Sequence, residues 1–197
     1  EHSCCSLDDV EDARSVAEQL GMPYHVFNFA DRFESCVINR FVHAYENGET
    51  PNPCIDCNRY LKFEKLYQRA QELGCTHVVT GHYARIERAE NGRFLLKKGL
   101  DPTKDQSYVL YCLTQQQLAH TLLPLGGMEK TAVRALADEN GFCNGQKPDS
   151  QDICFVQNGD YADFIEGYTK KHYPPGPFVR RDGTVVGEHR CINRYTV

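Results

Sequence analysis

The strongest constraint on this chain is a proline-rich turn that leads into a pair of cysteines, Thr50-Pro51-Asn52-Pro53-Cys54-Ile55-Asp56-Cys57-Asn58. Proline fixes φ and removes a backbone donor, so the two prolines predict an extended turn outside any helix or central strand. Asn58 is a favourable N-cap, and the apolar spacing after it predicts a helix over 59–73. Cys57 would then lie at a helix N-terminus, where unpaired N–H groups and the helix dipole favour thiolate over thiol. We therefore predict a reactive thiol at Cys57.

Composition places the chain among soluble globular proteins. It has 197 residues, 41% of them hydrophobic and 25% charged, enough for one domain or one and a part. The sequence has no apolar run near 18 residues and no signal-peptide pattern, which predicts a cytosolic protein with no membrane partner. Ten cysteines are too few for a disulfide-built scaffold, so the loop-borne Cys54, Cys57 and Cys154 are the informative ones.

Charge limits the classes of partner. The net charge is −5 and the sequence pI is about 5.9, so no global basic field indicates a nucleic-acid partner. An RNA partner would therefore need a local basic patch.

The order of the first elements predicts an α/β fold with a parallel sheet. A capping-box-like Ser6-Leu7-Asp8-Asp9 opens a helix that stops at Gly21, and a strand over Tyr24–Phe29 follows. A second helix over 31–47 ends at Gly48, and Thr76–Thr80 forms another strand before Gly81. Two strands are too few for a sheet covered on both faces. We therefore expect a fragment that lacks at least one upstream strand and the loop after it.

The second half alternates turns and helices. The predicted elements are a hairpin around Asn91-Gly92, a helix capped by Thr114 that ends near Leu122, helices over 129–140 and 161–171, and a hairpin around Asp182-Gly183. The last hairpin follows a proline-rich linker, which indicates a second domain. We predict a partial α/β catalytic domain over 1–157 and the truncated start of a linker and β domain over 158–197.

Each motif taken alone has an ordinary explanation. The Cys54-x-x-Cys57 pair is also typical of half a zinc site, a thioredoxin-like redox pair or coincidence, although no second ligand pair follows at zinc-finger distance. Cys154 between Ile153 and Phe155 is typical of buried filler. Gly81-His82 fits either a tight turn or a ligand site at the carboxyl edge of a sheet, and Lys104-Asp105-Gln106 fits a solvated loop.

Five blocks together resemble the tRNA-specific 2-thiouridylases. They are Thr50–Asn58, Thr80-Gly81-His82-Tyr83-Ala84, the stretch from Gly99-Leu100-Asp101 through Lys104-Asp105-Gln106-Ser107-Tyr108, Asp149-Ser150-Gln151-Asp152-Ile153-Cys154-Phe155, and Gly187-Glu188-His189. Their order and spacing match over nearly the whole chain. The resemblance implies a Rossmann-like ATP-pyrophosphatase domain that thiolates the wobble uridine of certain tRNAs, with ATP and Mg²⁺. The family's phosphate loop and C-terminal barrel have no counterpart here, so we expect this polypeptide alone to be inactive.

The resemblance also implies roles for individual residues. Cys154 would carry a persulfide that attacks C2 of an adenylated uridine, and Cys57 would release sulfide from it or resolve it as a Cys57–Cys154 disulfide. The sulfur would come from a persulfide carrier protein. By position, contacts with the target base would come from Asn52, Pro53 and Cys54, contact with ATP from Gly81, and contacts with the tRNA from His82, Lys104, Asp105 and Gln106. Recognition would target the splayed anticodon loop.

Cys54 departs from a common family pattern, in which an acidic residue follows Asn-Pro. Cys54, Cys57 and Cys154 are therefore also candidate ligands of a [4Fe-4S] cluster with one open iron, which would need no persulfide. A zinc-stapled RNA-binding module without catalysis is a third hypothesis. Iron, sulfide and zinc analysis after anaerobic purification separates the three.

Overall fold

The computed structural model describes residues 7–148, 153–156 and 159–196. Its α-helices are α1 (Leu7–Gln19), α2 (Ala30–Phe33), α3 (Asn39–Glu46), α4 (Pro53–Asp56), α5 (Leu66–Glu72), α6 (Gln115–Ala119), α7 (Lys130–Glu139) and α8 (Tyr161–Thr169). Two π-helical segments join neighbouring helices: Glu34–Ile38 connects α2 to α3, and Cys57–Lys65 connects α4 to α5. We refer to the two continuous helices as helix 30–46 and helix 53–72.

The described strands form three two-stranded sheets. The strands are β1 (Val78–Val79), β2 (Ala84–Arg88), β3 (Phe94–Lys98), β4 (Thr121–Leu122), β5 (Gly176–Val179) and β6 (Val185–His189). β1 and β4 pair in parallel, with Val78 opposite Thr121, while β2–β3 and β5–β6 are antiparallel hairpins. The parallel pair between segments rich in helix is the expected α/β arrangement.

Local signals in the sequence account well for the turns and caps. Asn91-Gly92 turns the β2–β3 hairpin with Gly92 at φ +82°. Thr114 forms a capping box with Gln117 at the start of α6. Gly21 and Gly48 both have positive φ just after their helices, where residues other than glycine are strained. The predicted cap at Ser6 lies outside the described residues.

The strand predicted over Tyr24–Phe29 is wrong. In this segment the alternate rings of His25, Phe27 and Phe29 stack, with centroids 6.2 and 6.0 Å apart. Among the described residues, however, no strand pairs with this segment. The alternating pattern of side chains does not by itself supply the partner that a strand requires.

Three other boundaries differ from the predictions. The helix expected to reach Leu122 ends at Ala119, because the backbone from Thr121 turns into β4. β1 covers only Val78–Val79 of the predicted Thr76–Thr80 strand, the part that faces β4. α8 ends at Thr169, because Lys170 adopts a left-handed conformation with φ +56°.

Helix 53–72 lies between two hydrophobic clusters. Leu61 belongs to the first cluster, which is built mainly from helix 30–46 together with Phe155, Val156 and Ile165. Phe63, two residues later, belongs to the second, with Val78, Ala84, Val109, Leu110, Leu113 and Leu118. The helix thereby fixes the two halves of the core relative to each other. Over the part of the chain that the structure describes, no helix has the length and apolar character needed to cross a membrane.

Candidate active site

Helix 53–72 begins earlier than the sequence predicts. Its N-cap is Asn52, whose side-chain oxygen accepts a hydrogen bond from the Cys54 N–H at 3.1 Å, and Pro53 is the first helical residue. The prediction of Asn58 as N-cap is therefore wrong. Proline suits the first helical position because the N–H it lacks would have no partner there. Cys57 consequently lies beyond the first turn, and Cys54 takes the position closest to the helix N-terminus.

The backbone widens at Cys57. The π-helical segment Cys57–Lys65 is nine residues long and closes with the Leu66 N–H donating to the Leu61 carbonyl, five residues back. Wide turns of this kind are rare and are frequent at functional sites. Within this segment Cys57 is partly buried, whereas Cys54 is exposed.

Cys154 lies in a turn and not at the start of a strand. The Val156 N–H donates to the Ile153 carbonyl at 2.9 Å, and this bond closes the turn over residues 153–156. Phe155 and Val156 are both buried, so the alternation that a half-buried strand needs is absent. Cys154 itself is exposed, which contradicts the interpretation of this residue as buried filler. Residues 149–152 of the same motif lie outside the described residues.

Cys57 and Cys154, the two thiols predicted to take part in sulfur transfer, belong to segments that meet at one hydrophobic cluster. Phe155, beside Cys154, contacts the rings of Phe33 and Phe41 of helix 30–46, with centroids 5.7 and 5.3 Å apart. Cys57 packs against this same cluster from helix 53–72. Residues almost a hundred positions apart in sequence are thus held on one core.

Gly81 and His82 follow β1 at its carboxyl end, as predicted. Gly81 is exposed, whereas the His82 side chain is only 7% exposed. His82 Nδ1 lies 2.8 Å from Thr80 Oγ1, and the imidazole lies 6.0 Å from the ring of Phe63 on helix 53–72. Burial, with a smaller contribution from the nearby Lys62, lowers the pKa of His82 to about 4. The imidazole is therefore neutral at physiological pH.

The low pKa of His82 predicts acid sensitivity. An unfolded histidine gains a proton below pH 6.5, while the folded one does so only near pH 4, so stability falls as the pH drops through this window. Between pH 7 and pH 5, we expect His82 to account for about 2 kcal/mol of lost unfolding free energy. Urea unfolding at both values should show a smaller loss for His82→Gln.

The exposed His172 provides the control for this measurement. His172→Gln should keep the full difference between pH 7 and pH 5. An equal loss in His82→Gln and the parent protein would show that His82 does not cause the acid sensitivity.

The Lys104–Gln106 loop is brought to the His82 turn by backbone and side-chain bonds. The Tyr83 N–H donates to Gln106 Oε1 at 3.0 Å, and the Gln106 N–H donates to the Tyr83 carbonyl at 2.9 Å. Asp105 accepts bonds from the Gly99 N–H at 2.8 Å and the Ser107 hydroxyl at 2.9 Å. Burial raises the pKa of Asp105, but these donors outweigh it and hold the pKa below its usual value. Both side chains thus fix the shape of the loop.

Asp101 and Asn58 support this region through long-range hydrogen bonds. Asp101 accepts from the Thr103 N–H and hydroxyl, at 2.9 and 2.7 Å, and from the Lys130 N–H at the start of α7, at 3.1 Å. Asn58 is buried, and its Nδ2 donates to the Val109 carbonyl at 3.4 Å. The polar residue next to Cys57 therefore ties the cysteine helix to the segment that follows the loop. Such long-range bonds leave no pattern in a single sequence.

The three cysteines considered as cluster ligands do not form a metal centre. Within residues 7–148, 153–156 and 159–196, no three His, Cys, Asp or Glu side chains converge as metal ligands would. Cys54, Cys57 and Cys154 all fall in these ranges, so the arrangement expected for three cluster ligands is not formed.

The parallel β1–β4 pair between helical segments defines an α/β protein, and comparison with known proteins gives the family. The family model described as "tRNA methyl transferase HUP domain" matches residues 1–158. The chain belongs to this family. The resemblance stated from the sequence and the Rossmann-like α/β fold that it implied are therefore confirmed.

Curated relatives are about 50% identical to this chain over the aligned residues. The protein from Clostridioides difficile (strain 630) is 50% identical over 198 residues, which cover 100% of this chain and 55% of the relative. That from Geotalea uraniireducens (strain Rf4) is 53% identical over 195 residues, covering 99% and 52%, and that from Acetivibrio thermocellus is 52% identical over 198 residues, covering 100% and 55%. All three are named "tRNA-specific 2-thiouridylase MnmA". The chain thus spans about half the length of these relatives.

Proposed function

We propose that the full-length protein containing this chain is an ATP-dependent tRNA-uridine 2-sulfurtransferase. The observation that carries the proposal is the meeting of two cysteine-bearing segments, one with Cys57 and one with Cys154, at a single hydrophobic cluster. The persulfide mechanism proposed here uses two thiols that react in sequence. The names of the relatives supply the substrate class, because they describe 2-thiolation of tRNA.

The proposed chemistry uses the two thiols in different steps. Oxygen at C2 of uridine is a poor leaving group, so it attacks the α-phosphate of ATP, releases pyrophosphate and becomes an adenylate. The terminal sulfur of a Cys154 persulfide attacks C2, and AMP departs. The Cys57 thiolate then attacks Sγ of Cys154, breaks the sulfur–sulfur bond and leaves the transferred sulfur on the base. The resulting Cys57–Cys154 disulfide is reduced by two equivalents of an external thiol, which become a disulfide, and a persulfide donor protein reloads Cys154.

Gly81 is the proposed contact with ATP. A Cβ at this position would meet only Leu125 Cδ1, at an ordinary distance of 3.5 Å, so internal packing does not demand glycine. Its exposed backbone at the carboxyl end of β1 fits the close approach of a nucleotide, since ligands of open α/β sheets bind at this edge. Mg²⁺ would accompany the ATP phosphates.

The proposed tRNA contacts lie at the start of helix 53–72 and in the loop that follows β3. The helix start, where Asn52 and Cys54 are exposed and Pro53 is buried, would face the target base. In the loop after β3, Lys104 would contact phosphate, while Asp105 and Gln106 hold the loop beside His82. We place the reaction in the cytoplasm, where thiols stay reduced.

Sulfur incorporation tests the function directly. The full-length protein, with ATP, a persulfide donor and a tRNA transcript that carries a wobble uridine, should form 2-thiouridine detectable by mass spectrometry of the nucleosides. Product should disappear without ATP and with a transcript in which cytidine replaces the wobble uridine. Formation of thiouridine elsewhere in the tRNA, or equal yield without ATP, would contradict the proposal.

A further inference from the structure

Three arginines surround one tyrosine on the surface near Cys57. The guanidinium carbons of Arg32, Arg40 and Arg59 lie 5.8, 5.5 and 5.3 Å from the centroid of the Tyr60 ring. They come from two different helices, helix 30–46 and helix 53–72. Cation–π attraction to the ring offsets part of their mutual repulsion.

This cluster lies beside the proposed reaction site. Tyr60 is three residues after Cys57 in helix 53–72, and both side chains pack against the hydrophobic cluster that contains Phe155. A ligand held by the three arginines would therefore lie next to the segments that carry the two thiols.

Acidic neighbours neutralise only part of the positive charge. Arg32 Nη2 pairs with Glu64 at 2.8 Å, and Arg40 pairs through Nε with Asp56 at 2.9 Å, which raises the pKa of Arg40. Arg59 has no carboxylate within 4.0 Å among the described acidic residues. Each guanidinium has five N–H donors, so both paired arginines keep donors for an additional anion. The cluster is a local excess of positive charge on a chain with net charge −5.

Two exposed tyrosines extend this surface. Tyr108 and Tyr111 are 61% and 70% exposed, although Val109 and Leu110 between them are buried and fix the backbone. Their segment packs on the start of helix 53–72, where Cys112 Sγ lies 3.9 Å from the Ile55 carbonyl. Burial raises the pKa of the Cys112 thiol, and Arg59 and Asp56 are close enough to affect it as well. Arg59 therefore lies near Cys112, in the segment that carries the exposed tyrosines.

We propose that these six residues, the arginine–tyrosine surface, bind the single-stranded backbone of the tRNA anticodon loop. Its members are Arg32, Arg40, Arg59, Tyr60, Tyr108 and Tyr111. The guanidinium groups contact successive phosphates, and the exposed tyrosine rings stack on splayed bases, as single-stranded nucleic acids require. The assignment rests on the proposed function and supplies the local basic patch that the acidic chain needs for RNA binding.

Salt-dependent binding of unmodified tRNA to the full-length protein tests the surface. Arg59→Ala should weaken binding roughly five- to tenfold near 0.1 M salt and reduce the slope of log K against log[salt] by about 0.7 to 0.9, because one phosphate contact is lost. Arg59→Lys should keep the slope, since the charge remains. Arg93→Ala, which removes an exposed arginine in the Asn91-Gly92 turn, is the matched control and should leave binding unchanged.

Asp56→Asn should change the affinity for tRNA in the direction opposite to Arg59→Ala. Loss of this carboxylate frees Arg40 and removes repulsion of phosphate, so binding should tighten about two- to fivefold at low salt. A purely structural role of the Arg40–Asp56 pair predicts weaker binding instead. Tyr108→Ala and Tyr111→Ala should each weaken binding without changing the slope, because stacking releases no counterions.

An unchanged slope in Arg59→Ala, or weaker binding in Asp56→Asn, would overturn the proposal. Normal tRNA binding by Arg59→Ala together with impaired sulfur delivery would overturn it in favour of an acidic protein partner. Binding of unmodified tRNA does not depend on catalysis. Wild-type protein that binds tRNA through this surface but forms no thiouridine would therefore contradict the proposed function alone.

Discussion

Replacing Cys57 with serine should abolish thiolation by the full-length protein. A serine hydroxyl is not ionised at neutral pH and cannot attack a persulfide as a thiolate does, so we expect a loss on the order of a thousandfold or more. Binding of tRNA should survive, because Cys57 is partly buried and packs against the core from helix 53–72. Thiouridine yield under single-turnover conditions measures the effect, and tRNA binding serves as the folding control. Retained activity in Cys57→Ser would contradict the assignment.

Cys54→Ser is the matched comparison, since it changes the other cysteine of the same motif. The persulfide mechanism needs only Cys57 and Cys154, so Cys54→Ser should keep activity within about tenfold of the parent. A mechanism that uses Cys54 as a ligand of an iron–sulfur cluster predicts that this variant fails as completely as Cys57→Ser. Stoichiometric iron and sulfide in the active protein, with activity lost in Cys54→Ser, would replace the persulfide mechanism.

Those elements that depend on neighbouring residues were predictable from the sequence. The turn at Asn91-Gly92, the capping box at Thr114 and the helix ends at Gly21 and Gly48 all follow from the preferences of a few adjacent residues. The wrong prediction of Asn58 as the helix N-cap also came from the preferences of adjacent residues. Two prolines predicted a non-helical turn, although Pro53 occupies the one helical position that proline favours.

Features that depend on distant residues were not predictable in the same way. Tyr24–Phe29 has the composition of a strand, but pairing depends on a partner elsewhere. The placement of Cys154 in an exposed turn follows from the burial of Phe155 against helix 30–46, which sequence spacing cannot show. The three arginines around Tyr60 likewise converge from separate helices. The domain division at 157 and the ligand contacts at Gly81 and Lys104 remain predictions.

Removal of the Phe155 ring should destabilise the protein and release the turn that carries Cys154. Phe155 is 5% exposed and contacts Phe33 and Phe41 of helix 30–46 and Phe164 of α8, with centroid distances of 5.7, 5.3 and 5.2 Å. Phe155→Ala would leave a cavity where these elements meet. We expect a loss of about 3 to 5 kcal/mol in unfolding free energy, measured by urea denaturation.

Phe155→Leu distinguishes a role of the ring in positioning the Cys154 turn from a general loss of protein stability. Leucine fills much of the same space, so this variant should lose less than about 2 kcal/mol and keep most of its thiolation activity. In Phe155→Ala, thiolation activity per folded molecule should also fall, because Cys154 no longer has a fixed position relative to Cys57. A stability loss below about 1 kcal/mol in Phe155→Ala, with normal activity, would mean that this ring does not hold the turn. Some other contact would then have to position the Cys154 thiol.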